Sequence, residues 1–210
     1  MVAIVVVGGV VAFFLLKGGS DKGGADPDDT PSPGQSVPTS EEADPVHFSL
    51  RKTETIETVA KGKLDKQAVQ KAAKDIRDTL GNMYTLAYTD PDHWENSDYD
   101  AVFGFFATGK PAAAAERDVK TLTLGPKASD TYDEVKFRYG ALKVEVLTDK
   151  GGIPYTVAAT ADFTADATTK DGSDMLIKSH ATYYLQNSEG GWTIVAYKAK
   201  RGDSSDGGNQ

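Results

Sequence analysis

The chain has no cysteine. A disulfide framework is therefore excluded, and so is a lipid attached through an N-terminal cysteine. It has no block of basic residues either. The net charge of −8 sits mostly at the ends: residues 1–45 carry −5, residues 201–210 carry −1, and residues 46–200 carry only −2. A nearly neutral body without a basic face argues against nucleic-acid binding. Glycine-rich phosphate loops are absent, because Gly151-Gly152 and Gly190-Gly191 fall in hairpin turns and not between a strand and a helix. Ser173 and Ser179 have no nearby His–acid arrangement in the sequence. Asp90, Asp92 and His93 match no common metal-ligand spacing and read as a turn around Pro91. No metal and no cofactor is expected.

What is present begins with Val2–Leu16, an unbroken apolar run (VAIVVVGGVVAFFLL). At about 1.5 Å per residue it spans roughly 22 Å, short of a hydrocarbon core of roughly 30 Å. Gly18 and Gly19 extend it at little cost. The reading favoured is a membrane anchor over residues 1–17. A cleaved signal peptide is the rival, but no basic residue precedes the run and no Ala-x-Ala-like site follows it. Lys17–Pro45 holds five Pro, five Gly and five Asp, with only Ala25, Val37 and Ala43 apolar. Such a chain cannot bury enough surface to offset its ordering entropy. Residues 18–45 are thus expected to be a flexible linker, and 201–210 a disordered tail.

The stretch 46–200 is long enough for a single core. Val46, Phe48 and Leu50 alternate with polar residues and predict a short strand, extended to about Val59. Asp65 is a good N-cap, with Leu64 placed to staple onto Val69. From Val69 to Ala87 apolar residues recur at three- and four-residue spacing, predicting a helix to about Tyr88. Gly81 inside it marks a close approach of another backbone. Ser97 or Asp98 caps a second helix carrying Tyr99, Val102, Phe103 and Phe106, and Pro111 opens a third. After residue 132 the period becomes two. Val135, Phe137 and Tyr139 share one phase, while Leu142, Val144 and Val146 share the other, which predicts a β-bulge at Gly140-Ala141. Three further strands follow, and Trp192–Lys198, apolar on both sides, is expected to be the most enclosed. The plan is α+β: a long helix and two shorter ones on a curved antiparallel sheet, with a conical hollow between.

This order resembles the NTF2-like (cystatin-like α+β) superfamily, and more closely its membrane-anchored extracytoplasmic members in bacterial envelopes. Met83-Tyr84, Tyr88–Trp94, Tyr99–Phe103, Leu122–Gly125 and Gly191–Tyr197 carry the resemblance, which covers about 65–200. It implies an NTF2-like cone over residues 46–200. The superfamily holds isomerases and hydratases beside members that only bind or assemble, so the fold alone does not choose.

An enzyme of this plan needs an ionisable residue pointing into the hollow. The residues assigned inward are Val135, Phe137, Tyr155, Val157, Ala159, Phe163, Ile177, Ala181 and Tyr183. Asp162, Asp166 and His180 fall on the solvated side. No catalytic residue is therefore expected, and the function read from the chain is a non-catalytic binding or assembly module. The alternative is an isomerase or hydratase acting on a hydrophobic ligand. Tyr84, Tyr88, Trp94, Tyr99, Phe103, Phe137, Tyr155 and Tyr183 form the candidate ligand pocket, although aromatics at these positions are more often plain core. The partners expected are the membrane, through the N-terminal segment, and either an envelope protein or a small apolar ligand. A homodimer through the sheet stays open.

Overall fold

A computed structural model describes residues 45–57, 65–149, 151–188 and 191–205. The apolar run, the linker, the Leu64 staple and residues 206–210 lie outside the described residues. Five strands form one mixed sheet in the order β1-β2-β3-β4-β5: β1 Ser49–Glu57, β2 Tyr132–Thr148, β3 Pro154–Thr169, β4 Asp174–Ser188 and β5 Gly191–Ser205. β2 to β5 are a meander of antiparallel hairpins. β1 departs from the antiparallel expectation and pairs parallel to β2, from Ser49 opposite Ala141 to Glu57 opposite Thr148. Parallel neighbours need a long crossover. Here the described helices supply it, since they lie between β1 and β2 in the chain.

Helix α1 spans Lys66–Tyr84. The Asp65 carboxylate accepts from the amides of Gln67 and Ala68 at 3.0 Å, which satisfies two of the orphan donors of the first turn. Val69, Ala72, Ala73, Ile76, Leu80, Met83 and Tyr84 form the buried face. Gly81 is there for the reason its position suggested: a Cβ would lie 2.8 Å from the carbonyl oxygen of Val46. Thr85 completes this junction, accepting from the Val46 amide at 2.9 Å and donating to the Gly81 carbonyl at 3.0 Å. The helix then widens into a π turn over Thr85–Thr89. The expected turn at Pro91 is itself a short helix, α2 Pro91–Trp94, capped by Asp90. The second predicted helix is shorter than expected, α3 Asp100–Phe103, and the third is split at Asp118 into α4 Lys110–Arg117 and α5 Val119–Leu122. Helix α6, Ala128–Thr131, leads into β2.

The inner face of the sheet is built in rows. Leu142, Val144 and Val146 of β2 stand opposite Ala161, Ala159 and Val157 of β3, which stand opposite Ala181, Tyr183 and Leu185 of β4. All nine are buried. The small side chains on the central strand leave depth for large rings from the helices.

Three sequence expectations need correction. The slip of phase in β2 falls between Phe137 and Tyr139, earlier than Gly140-Ala141. Tyr139 is therefore turned outward, 40% exposed. Gly140 answers to a different constraint, because a Cβ there would meet the Phe48 ring at 2.8 Å. A second irregularity lies between Leu147 and Thr148, whose partners are Thr156 and Pro154. Tyr155 is the extra residue, and it is 43% exposed, not inward. Third, β5 is an edge strand and not the most enclosed one. Its apolar start has another cause: segment 105–107 covers that edge, with Ile194 donating to Phe105 O and accepting from Ala107 N. Covering an edge in this way blunts unwanted strand pairing.

Candidate functional site

The predicted pocket aromatics have separate fates. Tyr84, Tyr88, Trp94, Tyr99 and Tyr183 are buried, Phe103 and Phe137 are partly buried against the core, and Tyr155 stands on the surface. The structure brings Tyr84, Tyr88, Phe137 and Tyr183 together around Phe48 and Phe163. Tyr84 stacks on Tyr88 at 5.4 Å and meets Phe48 and Tyr183 edge-on at 5.1 and 6.3 Å. Phe163 lies 4.7 Å from Tyr88 and 6.0 Å from Phe137. These centroid separations are those of rings in mutual contact. The space between the helices and the sheet is occupied by the rings themselves.

Their hydroxyls are satisfied within the protein. Tyr183 donates to the Tyr84 hydroxyl at 3.1 Å, which leaves the Tyr84 proton for Ser179 Oγ at 3.3 Å. Tyr88 donates to the carbonyl of Thr121, and Tyr99 to that of Gly125 at 3.1 Å. Burial pushes the Tyr84, Tyr88 and Tyr183 phenols above their ordinary range, and it pushes Tyr99 up to about 12. Ser179 was missed by the sequence reading. It shares the phase of Ile177 and Ala181, and that alternation was the signal available. One polar atom in this region has no partner: the buried Trp94 indole N–H.

Among the described residues, no Asp, Glu, His or Lys is buried, and one charged side chain, Arg201, is nearly so. His180 lies on the outer face, 2.7 Å from Asp162 Oδ1. The ring of His93 closes the turn, its Nδ1 3.0 Å from the Asp98 carbonyl oxygen. No group of three or more His, Asp or Glu side chains that could hold a metal occurs among the described residues.

Open volume lies elsewhere. A cavity of about 420 Å³ sits beside α1 and the residues that precede β1, lined by Val46, Phe48, Arg77 and Gly81 among others. A second of about 420 Å³ opens where the end of β5 meets the α5–β2 segment. Its lining includes Lys120, Leu124, Pro126, Lys127, Tyr132 and the pair Arg201–Asp203. The sequence places Arg201 and Asp203 in a tail expected to be disordered. In the structure β5 runs on to Ser205, so both side chains project from the same face of a strand.

Arg201 is held by a complete set of acceptors. Nε donates to Asp203 Oδ1 at 2.9 Å, and Nη2 donates to Asp203 Oδ2 at 2.6 Å and to Tyr132 Oη at 2.8 Å. Nη1 donates to the carbonyls of Thr123 and Lys120. Tyr132 in turn donates to Asp203 Oδ2 at 3.2 Å. Five donors thus meet carboxylate, phenol and backbone, which is the use that the planar guanidinium suits best. The Arg201 side chain is only 9% exposed. Burial works against its charge, and the Asp203 carboxylate together with the Tyr88 and Tyr132 phenols more than restores it. The Tyr132 phenol is raised by burial, with the Arg201 charge opposing.

The class defined by these features is an α+β domain with a five-stranded mixed sheet, an aromatic interior in which no Asp, Glu, His or Lys is buried among the described residues, and a cleft floored by an Arg–Asp–Tyr cluster. Comparison with protein-family models, with curated proteins and with solved structures finds no match. No helix among the described residues is long and apolar enough to cross a membrane.

Proposed function

We propose that this chain is a membrane-tethered, extracytoplasmic binding module with an NTF2-like head and no catalytic activity of its own. The observation that carries the reading is the chemistry of the interior. A base or acid poised for proton transfer must sit within reach of a bound substrate. The buried interior offers tyrosines, Ser179, a few threonines and hydrocarbon, and the phenols are held neutral by burial. An isomerase or hydratase would need a carboxylate or imidazole where Ser179 and Tyr183 stand. The order of elements, a long helix and short helices followed by a four-strand meander, supports the NTF2-like assignment. The rings fill the interior, so the head meets its ligand in the cleft beside Arg201. The tether rests on the apolar run Val2–Leu16 and the Pro/Gly/Asp-rich stretch after it.

Flotation with lipid vesicles tests the tether. The full chain is expected to rise with the vesicles and to stay with them through a high-salt wash, while a chain lacking residues 2–16 stays behind. A full chain left in the soluble fraction overturns the anchor.

A further inference from the structure

We infer that the cleft beside Arg201 takes an amphipathic anion: a small molecule with an apolar body and one carboxylate or phosphate group. This rests on the reading of the cleft as the binding site and adds the chemistry of what enters it. Three observations point there. The cleft has a fixed floor, because Arg201, Asp203 and Tyr132 are locked to one another by four hydrogen bonds of 2.6–3.2 Å. It has apolar walls, from Leu124, Pro126 and the Tyr132 ring. Its charge has the opposite sign to that of the chain. Lys120, Lys127 and Arg201 face a single carboxylate, in a chain of net charge −8 whose residues 46–200 carry −2.

That carboxylate is already engaged. Asp203 accepts from Arg201 through both oxygens and from Tyr132, so Arg201 and Asp203 cancel as a bidentate pair. Neither Lys120 nor Lys127 makes an ion pair among the described residues, and their charges remain to be met. A volume of about 420 Å³ is of the size that small-ligand sites have. Arg201 has no donor to spare, so the two lysines supply the attraction and Arg201 holds the surface they work from. Both lysines are exposed, and replacing them leaves the floor intact.

The test is an amide NMR titration of the isotope-labelled full chain with two probes of one shape, naphthoate and its neutral counterpart acetylnaphthalene. Naphthoate is expected to shift amides in 120–132 and 201–203. In the K120Q/K127Q double variant its affinity should fall about fivefold, the effect of two exposed charges. Added salt should weaken naphthoate and leave acetylnaphthalene unchanged. Equal binding of both probes, untouched by the lysine changes, overturns the anionic ligand and leaves the cleft as a binding site. Silence of the cleft amides to both probes overturns the cleft reading as well.

Discussion

Tyr84 is the residue on which the interior turns. Its ring touches Phe48, Tyr88, Phe163 and Tyr183, and its hydroxyl links Tyr183 to Ser179. Y84F keeps the ring and removes the link. The Tyr183 hydroxyl then loses its acceptor in a place water does not reach. The expected loss of stability is about 1–3 kcal/mol, measured by urea denaturation. A neutral outcome would mean that the buried hydroxyls find other partners. Tyr84 and Tyr183 were legible as inner residues from helical and strand periods alone. Tyr155 was not, because an extra residue in a hairpin strand inverts every later phase, and alternation carries no mark of where that residue sits.

At the scale of the element, the end of β5 matters most. The sequence after Lys200 is polar and glycine-containing, and composition alone puts it in solution. What orders it is the ladder to β4, which runs on to Met175 opposite Ser205, together with one guanidinium that ties β5 to the α5 terminus and to the start of β2. That contact is long-range, 69 residues from Tyr132 and 78 from Thr123, and no local pattern encodes it. R201A should cost about 2–4 kcal/mol, somewhat less than breaking a fully buried pair, since Asp203 retains some solvent. R201K should recover little, because an ammonium cannot serve a carboxylate, a phenol and two carbonyls at once. Thermal unfolding of both variants measures this. A tail without structural role would leave both at the wild-type midpoint. The element order itself was readable: the capped helix from Asp65, the glycine at the Val46 crossing and the closing meander all follow from local chemistry. The parallel pairing of β1 was not, because strand direction is set by the crossover and not by the strand's own residues.

For the whole molecule, the sign of the tyrosine shifts fixes a pH dependence. Tyr84, Tyr88 and Tyr183 have folded-state values raised above the ordinary 10, and Tyr99 is raised to about 12, all chiefly through burial. Above pH 10 the unfolded chain releases phenolic protons that the folded chain keeps. The stability these groups contribute is therefore complete below that pH and declines as pH rises through their folded values. Urea midpoints should hold steady up to about pH 10 and then fall. Midpoints that stay level beyond that range would show that the phenols titrate as freely in the folded state.

The central claim is that the interior is shut and neutral, so that binding takes place on the surface. NMR observation of the Tyr84 and Tyr183 hydroxyl protons tests it most directly. Two resolved hydroxyl signals, exchanging slowly with water and unmoved by either naphthalene probe, are the expected result. Signals lost to rapid exchange, or shifted when a probe is added, would mean that the hollow is open and would contradict the account.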